Sequence, residues 1–281
     1  MLVFVKSWWQ QRKKDRALIK AVQKGDLEEV VHWADRGANI KCEWIALRDG
    51  FVRTNLLLEA IIYSHASIVQ YILDRESSLI YLKDGRGFTP FHRAILRYDI
   101  DIDILRILLR EQDFISKDLV NSCRKGGHSI LSDVVNSYGS LEHTDLVIDD
   151  HLTKVILVGA NFSHQFSSEN WLTNFNHIKT GVEDRRNKVM GKLCLLLDAE
   201  GIDVNTTTND GWTALHIACA YVSFEMIGAL IKSPGIRIDI KTSCKGYTAL
   251  DLLLKKRDSK RYSHMKPKFE DAIALFNMKK C

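Results

Sequence analysis

Apolar positions along this chain come in short bursts at helical spacing, each about two turns long. Between Ala17 and Val31 they fall at 17, 18, 21 and 22, then at 27, 30 and 31. That pattern predicts two short amphipathic helices parted at Gly25. Leu56, Leu57, Leu58 and Ala60 open a second such pair, closed by the run Ile68–Leu73. A third pair starts after Gly87 and ends in Ile104–Leu109, with Asp99-Ile100-Asp101-Ile102-Asp103 lengthening the turn between its helices. Gly127-His128-Ser129-Ile130-Leu131 begins a fourth, with Ser129 in the capping place and a longer turn expected at Asn136-Ser137-Tyr138-Gly139-Ser140. Residues 163–190 break the rhythm. They are absorbed as a fifth, worn pair, one helix opening at Ser168-Glu169-Asn170-Trp171-Leu172 and the next running from Val189 to Leu197. The sixth and seventh pairs start at Asp210 and Lys245, and the last outer helix is predicted over Phe269–Phe276.

A polar word recurs at the start of these pairs. It reads Gly211-Trp212-Thr213-Ala214-Leu215-His216-Ile217-Ala218 in the sixth, Gly246-Tyr247-Thr248-Ala249-Leu250-Asp251 in the seventh and Gly87-Phe88-Thr89-Pro90-Phe91-His92-Arg93-Ala94 in the third. The glycines suit a turn that needs a permissive backbone, and the threonines suit helix N-caps. Pro90 fits the first helical position, where its missing N–H has no partner to lose. Gly37-Ala38-Asn39-Ile40, Gly159-Ala160-Asn161-Phe162 and Gly201-Ile202-Asp203-Val204-Asn205 close units in a common way.

A word of this kind, recurring at about 33 residues, resembles the ankyrin repeat, a β-turn followed by two antiparallel helices. The resemblance implies an all-α solenoid of about seven helix-turn-helix repeats, degenerate at both ends and in the middle. The repeats are expected to start near residues 16, 53, 86, 127, 166, 209 and 245, filling 16–278 between a basic and aromatic cap at 1–15 and a short basic tail at 279–281. In that family His92 and His216 bond neighbouring turn backbone rather than act as a catalytic base or metal ligand. The family also implies a non-catalytic scaffold that binds a protein partner in a groove lined by turn tips and first helices. Carried onto this sequence, the groove candidates are Arg53, Arg86, Phe88, His128, Trp212 and Tyr247 at the turns. On the first helices they are Arg93, Arg97, Tyr98, Tyr221 and Phe224. Phe88, Trp212 and Tyr247 occupy one equivalent place, and two readings stand for them, binding anchors or packing on the adjacent turn.

Composition changes little in this picture. With 46% hydrophobic and 27% charged residues among 281, the chain looks like an ordinary soluble protein. Its six scattered cysteines fit a reducing compartment. No apolar run is long enough to cross a membrane, and the start is too short in apolar residues for a secretion signal, so an intracellular, cytoplasmic location is expected. Charge is less even, with a net of +4 over residues 1–16 and +6 over 255–281, against +5 for the whole. Those basic ends either attract nucleic acid or an anionic membrane, or simply keep end repeats hydrated. Trp8 and Trp9 are read either as membrane-interface residues or as a cover for the first repeat.

Two other classes of function compete. Lys255-Lys256-Arg257-Asp258-Ser259-Lys260-Arg261 resembles a basic import signal, which would make the chain a nuclear or nucleic-acid-associated adaptor. Only Tyr262 lies close enough to interleave with it, which weighs against nucleic acid. An enzyme hidden in the degenerate repeats is the other. Its candidates are Cys123 or Cys194 with His128 or His151, among the histidines 128, 143, 151, 164 and 177. Cys194, inside Leu193–Leu197, is expected to be buried. No phosphate loop, dinucleotide fingerprint, nucleophile elbow or zinc-binding His pair occurs, so neither cofactor nor metal is expected. Standalone, degenerate ankyrin chains of this size also resemble effectors that intracellular bacteria deliver into eukaryotic cells, which would place the chain in a host cytoplasm acting on host proteins.

Overall fold

The structure is a computed structural model and describes residues 2–46, 52–96, 99–112, 119–124, 126–139 and 168–280. The chain divides into two compact units, Met1–Ile130 with Ala199–Ile202 and Leu131–Asp198 with Asp203–Cys281.

In the first unit, α1 (Leu2–Lys24) and α2 (Leu27–Asp35) form the first helix pair. Gly25, at φ +78°, ends α1 by a Schellman turn: its N–H donates to Val22 O and that of Asp26 to Ala21 O. Asp26 then caps α2, its carboxylate accepting from Glu29 N at 3.0 Å. The first pair therefore breaks where the spacing predicts. The helix before it does not start at residue 16, however. It is continuous from Leu2, because no proline or glycine lies between 2 and 24 and Asp15, the capping residue before 16, spends its carboxylate on Gln11 Nε2 and Asn39 N instead. Trp8 and Trp9 sit on it 51% and 61% exposed, so neither ring is shut away against the first repeat.

A feature the sequence reading missed follows, an antiparallel hairpin of β1 (Glu43–Ala46) and β2 (Val52–Asn55), paired from Glu43↔Asn55 to Ala46↔Val52. Next come α3 (Leu56–Ile62) and α4 (Ala66–Arg75), a 3-10 turn at Ser77–Tyr81, and α5 (Pro90–Leu96) with α6 (Ile102–Gln112). The cap of α3 is Asn55, accepting from Leu58 N at 3.0 Å, and the cap of α6 is Asp101, accepting from Asp103 N at 2.9 Å. α1, α3 and α5 pack in series as one layer, with α2, α4 and α6 in series as the other. The core lies between the layers, built from such residues as Leu18, Leu57, Ile68, Phe91 and Leu105, each at most 1% exposed.

The second unit has the same two-layer logic. Residues 130–139 form α7, of which all but Ile130 belong to this unit, and α8 (Ser168–Leu197) is a single helix of 30 residues. α9 (Ala214–Tyr221) pairs with α10 (Phe224–Lys232), and α11 (Ala249–Arg257) with α12 (Lys266–Lys280), after a 3-10 turn at Lys260–Met265. α9 packs on α11 in one layer, and α8, α10 and α12 follow in the other. Three sequence expectations are corrected here. Asn136–Gly139 is helical and belongs to α7, not to a turn. It is held there by buried Tyr138, while Ser137 Oγ turns back to donate to Asp133 O at 2.9 Å. The fifth pair is one helix rather than two, since no proline interrupts it and Gly181 alone costs too little to stop it. Cys194 is exposed, because its apolar neighbours Leu193 and Leu196 take the inner face. The outer helix expected to end at 159–162 lies outside the described residues. No helix among the described residues is long and apolar enough to cross a membrane.

Candidate interaction surface

Four turns share one construction. The N–H groups of Asp84, Arg124, Thr208 and Thr242 donate to the carbonyls of Phe88, His128, Trp212 and Tyr247, at 2.8 to 3.0 Å. Inside each turn a glycine N–H, from Gly87, Gly127, Gly211 or Gly246, donates back to the first residue's carbonyl. All four glycines have φ between +63° and +85°, where a Cβ is disfavoured. In three turns the first side chain also serves. Asp84 Oδ1 accepts from Arg86 N and Phe88 N, Thr208 Oγ1 from Trp212 N, and Thr242 Oγ1 from Tyr247 N, at 2.8 to 3.1 Å. Sequence reasoning missed these three turn-builders. Their signal is an Asp or Thr three or four places before the turn glycine.

The threonines after the turns close capping boxes. Thr213 Oγ1 accepts from His216 N at 3.3 Å, and His216 Nδ1 accepts from Thr213 N at 3.2 Å. His216 Nε2 lies 3.1 Å from the carbonyl of Tyr247, one repeat on, so it carries the ring proton and links consecutive turns. Burial holds the His216 pKa below its ordinary value, against the pull of the carbonyls of Tyr247 and Ile240. The Thr89–His92 pair repeats the arrangement, with Nδ1 2.7 Å from Thr89 Oγ1. In the third copy Asp251 replaces the histidine and accepts from Thr248 N and Oγ1, both at 2.8 Å. These hydrogen bonds hold its carboxyl below the usual range. Both histidines are tied into the frame of the turns.

The groove candidates fall into distinct environments. Arg86 is an exposed tip residue, and Arg53, on β2, pairs with Glu43 of β1. Arg93 is mostly enclosed, its Nε 2.9 Å from the buried carboxylate of Asp84 and its guanidinium 4.8 Å from the Phe88 ring. His128 is half-buried behind the Gly127 turn. Trp212 and Tyr247 are half-buried, the first 6.2 Å from the His216 ring and the second under Lys255 Nζ at 4.8 Å. Tyr221 donates to Asn136 Oδ1 at 3.1 Å, and its ring lies against Gly139. Phe224 meets Phe269 edge-on at 5.1 Å. Arg97 and Tyr98 lie outside the described residues.

The competing sites fare as follows. Among the described residues no cluster of three metal-ligating side chains occurs. Burial, with Asp15 nearby, pushes the Cys42 thiol up to about 12, and burial raises that of Cys219 as well. Cys123 forms a backbone bridge with Ser129, and its thiol points to Asn121 O at 3.7 Å. His143, His151 and His164, and the side chain of His177, lie outside the described residues. The basic run ends α11 with Lys255–Arg257 and enters the 3-10 turn with Lys260 and Arg261. Arg257 pairs with Asp258 at 2.9 Å and Glu270 at 3.6 Å, and Lys256 sits 6.0 Å over the Tyr262 ring. Cations at a helix C-terminus are favoured by its dipole.

One surface feature had no counterpart in the sequence reading. In the first unit, α1 and the β-hairpin bound a cavity of about 800 Å³, with Trp9, Arg12, Lys13, Arg16 and Lys20 along the helix and Trp44 from β1. The visible signal was basic residues three, four, seven and eight apart, read from net charge as a basic end that attracts nucleic acid or an anionic membrane or keeps the end repeat hydrated, not as the wall of a cavity.

Residues 186–260 match the family model for ankyrin repeats, in three copies. No curated protein matches the sequence. Among solved structures, the fold is similar to the ankyrin repeat protein EF0377, with a TM-score of 0.59 and 16% identity over 92% of this chain and 97% of that one. It is also similar to an ankyrin repeat domain (ABAYE2397) of Acinetobacter baumannii AYE, at 0.56 and 16% over 91% and 96%. A third is a chain from the complex of the Bdellovibrio bacteriovorus predatory endopeptidase Bd0816 with immunity protein Bd3460, at 0.50 and 15% over 91% and 97%.

Proposed function

We propose that this chain, which carries ankyrin repeats and folds as an ankyrin-repeat protein, is a non-catalytic scaffold holding a protein partner on its turn tips and first helices. The ankyrin-repeat fold is typically a non-enzymatic interaction module. One observation carries the reading here. The polar groups that would suggest chemistry, His92, His216 and Asp251, are all consumed by capping the helices. What the repeated turns leave outward is a set of binding-type side chains, notably Arg86 at one tip and the half-buried faces of Trp212 and Tyr247 at others. Trp, Tyr and Arg are the residues that dominate protein interfaces, where truncating one costs about 2 kcal/mol or more.

The test is to capture a partner on the immobilised chain, purify it, and titrate it against the wild type, Trp212→Ala and Arg86→Glu. Each variant is expected to weaken binding by at least about tenfold while its circular dichroism stays helical. A purified partner that binds both variants as tightly as the wild type removes the turn tips from the interface.

A further inference from the structure

We infer that the cavity between α1 and the β-hairpin takes an acidic polypeptide segment bearing an apolar or aromatic anchor. The inference rests on the scaffold reading above and gives the partner's chemistry.

The polar side chains of α1 divide between two faces. On one side, Gln11, Lys14 and Asp15 are tied to the end of α2. Gln11 Nε2 donates to Gly37 O at 2.9 Å, Lys14 Nζ to Arg36 O at 2.8 Å, and Asp15 Oδ1 accepts from Asn39 N at 2.8 Å. Leu18, Ala21 and Val22 are buried in the core. The remaining face carries Arg12, Lys13, Arg16 and Lys20, all exposed, and none of them has an ion-pair partner among the described residues. Elsewhere in the same unit exposed arginines do pair, Arg53 with Glu43, Arg75 with Asp35 and Arg106 with Asp103. Like charges three and four apart on one helix repel by a few tenths of a kcal/mol per pair. A face that keeps four of them, with no carboxylate in the cavity lining, is complementary to an external anion.

The walls say what kind of anion. Trp9, 61% exposed, and Trp44 flank the basic row, so the site offers large apolar faces as well as charge. Aromatic anchors that become buried on binding, inside a polar rim, are the usual build of a protein interface. The row from Arg12 to Lys20 is about 12 Å long at 1.5 Å per residue, which spans about four residues of extended peptide or two turns of helix. A short acidic segment fits better than a nucleic-acid strand, whose binding sites track several nucleotides of backbone.

The test uses the full chain and fluorescence anisotropy of a labelled peptide rich in glutamate with one phenylalanine. Its controls are the same peptide with glutamine for glutamate and an oligothymidylate of matched length. The acidic peptide is expected to bind, the glutamine form to bind about tenfold more weakly, and raised salt to weaken the acidic peptide alone. Arg16→Glu and Lys20→Glu, at exposed positions, are each expected to cost a further factor of about ten with unchanged circular dichroism. Equal binding of the two peptides, indifference to both charge reversals, or preference for the oligothymidylate would each overturn the inference. A purified partner that loses affinity with Trp212→Ala but not with Arg16→Glu would leave the scaffold standing and remove this cavity from it. A partner indifferent to Trp212→Ala and Arg86→Glu would fail the turn tips whatever the peptide does.

Discussion

His216 shows how one side chain of the repeat is spent. Its ring accepts from the turn behind it through Nδ1 and donates to the turn of the following repeat through Nε2, with 1% of its surface exposed. Burial disfavours the charged ring, which is why its pKa falls below 6.5 in the folded chain although the carbonyls of Tyr247 and Ile240 pull it up. The unfolded chain therefore binds a proton at a pH where the folded one does not, and stability rises with pH through that window. The contribution is complete above 6.5 and is lost as pH falls through that value towards the folded pKa. Between about pH 7.5 and 5.5 the melting temperature is expected to drop, and to drop less in His216→Gln, which keeps a capping-box acceptor without the titration. Thermal melts of both chains at the two pH values check it, and equal drops would show that His216 is not the group responsible. This level of the molecule was legible where the words were spelled in full, at Thr89, Thr213 and Thr248, because those side chains are themselves the hydrogen-bond partners. Asn55 and Asp101 do the same work with other residues, and a lone Asn or Asp fits many turns as well as a cap. Arg93 was read as a groove residue from its place on a first helix. Its contact with Asp84 depends on a turn whose geometry the sequence does not spell out.

At the scale of elements, helix pairs were read correctly where a glycine or cap ended the first helix, as at Gly25, and wrongly where composition imitated a turn. Asn136-Ser137-Tyr138-Gly139 has turn chemistry, yet it is helical because Tyr138 is buried and hydrogen-bonds Glu225 of α10. Gly139 belongs to that packing, since a Cβ there would lie 2.3 Å from the Tyr221 ring. Gly181, in the middle of α8, is the opposite case, with nothing within 4 Å of a Cβ. The same substitution should therefore have opposite signs. Gly181→Ala is expected to stabilise by about 0.5–1 kcal/mol, through helix propensity and a less free unfolded chain. Gly139→Ala is expected to destabilise by about 1–3 kcal/mol, because it overpacks a filled contact. Urea unfolding of the two variants measures both. A Gly181→Ala chain that lost stability would argue against a helix unbroken through residue 181. The hairpin of β1 and β2 went unread because each strand has only four residues and Arg53 looked like a turn residue.

For the molecule as a whole, the family model reaches only residues 186–260, while the fold likeness spans more than nine-tenths of the chain. The difference is physical. A sequence model counts the capping and turn words, which the sixth and seventh pairs spell in adjacent copies. The fold needs only short helices with one apolar face, and in the N-terminal half the third pair spells the word alone while its neighbours supply such helices with other caps. Worn words should then mean uneven stability, because a solenoid's stability is the sum of unit and nearest-neighbour terms rather than one cooperative total. The helices differ sharply in what they bury. α9 buries Ala214 through Cys219 and α3 buries Leu56 through Ile61, whereas α2 buries only Val30. Local opening is cheapest where few apolar contacts are lost. Native-state hydrogen exchange is therefore expected to protect the amides of α3 and α9 most, with those of α2 exchanging at least about tenfold faster. Equal protection in all three would mean that α2 opens only with the whole chain, its stability drawn from neighbours rather than from its own buried face.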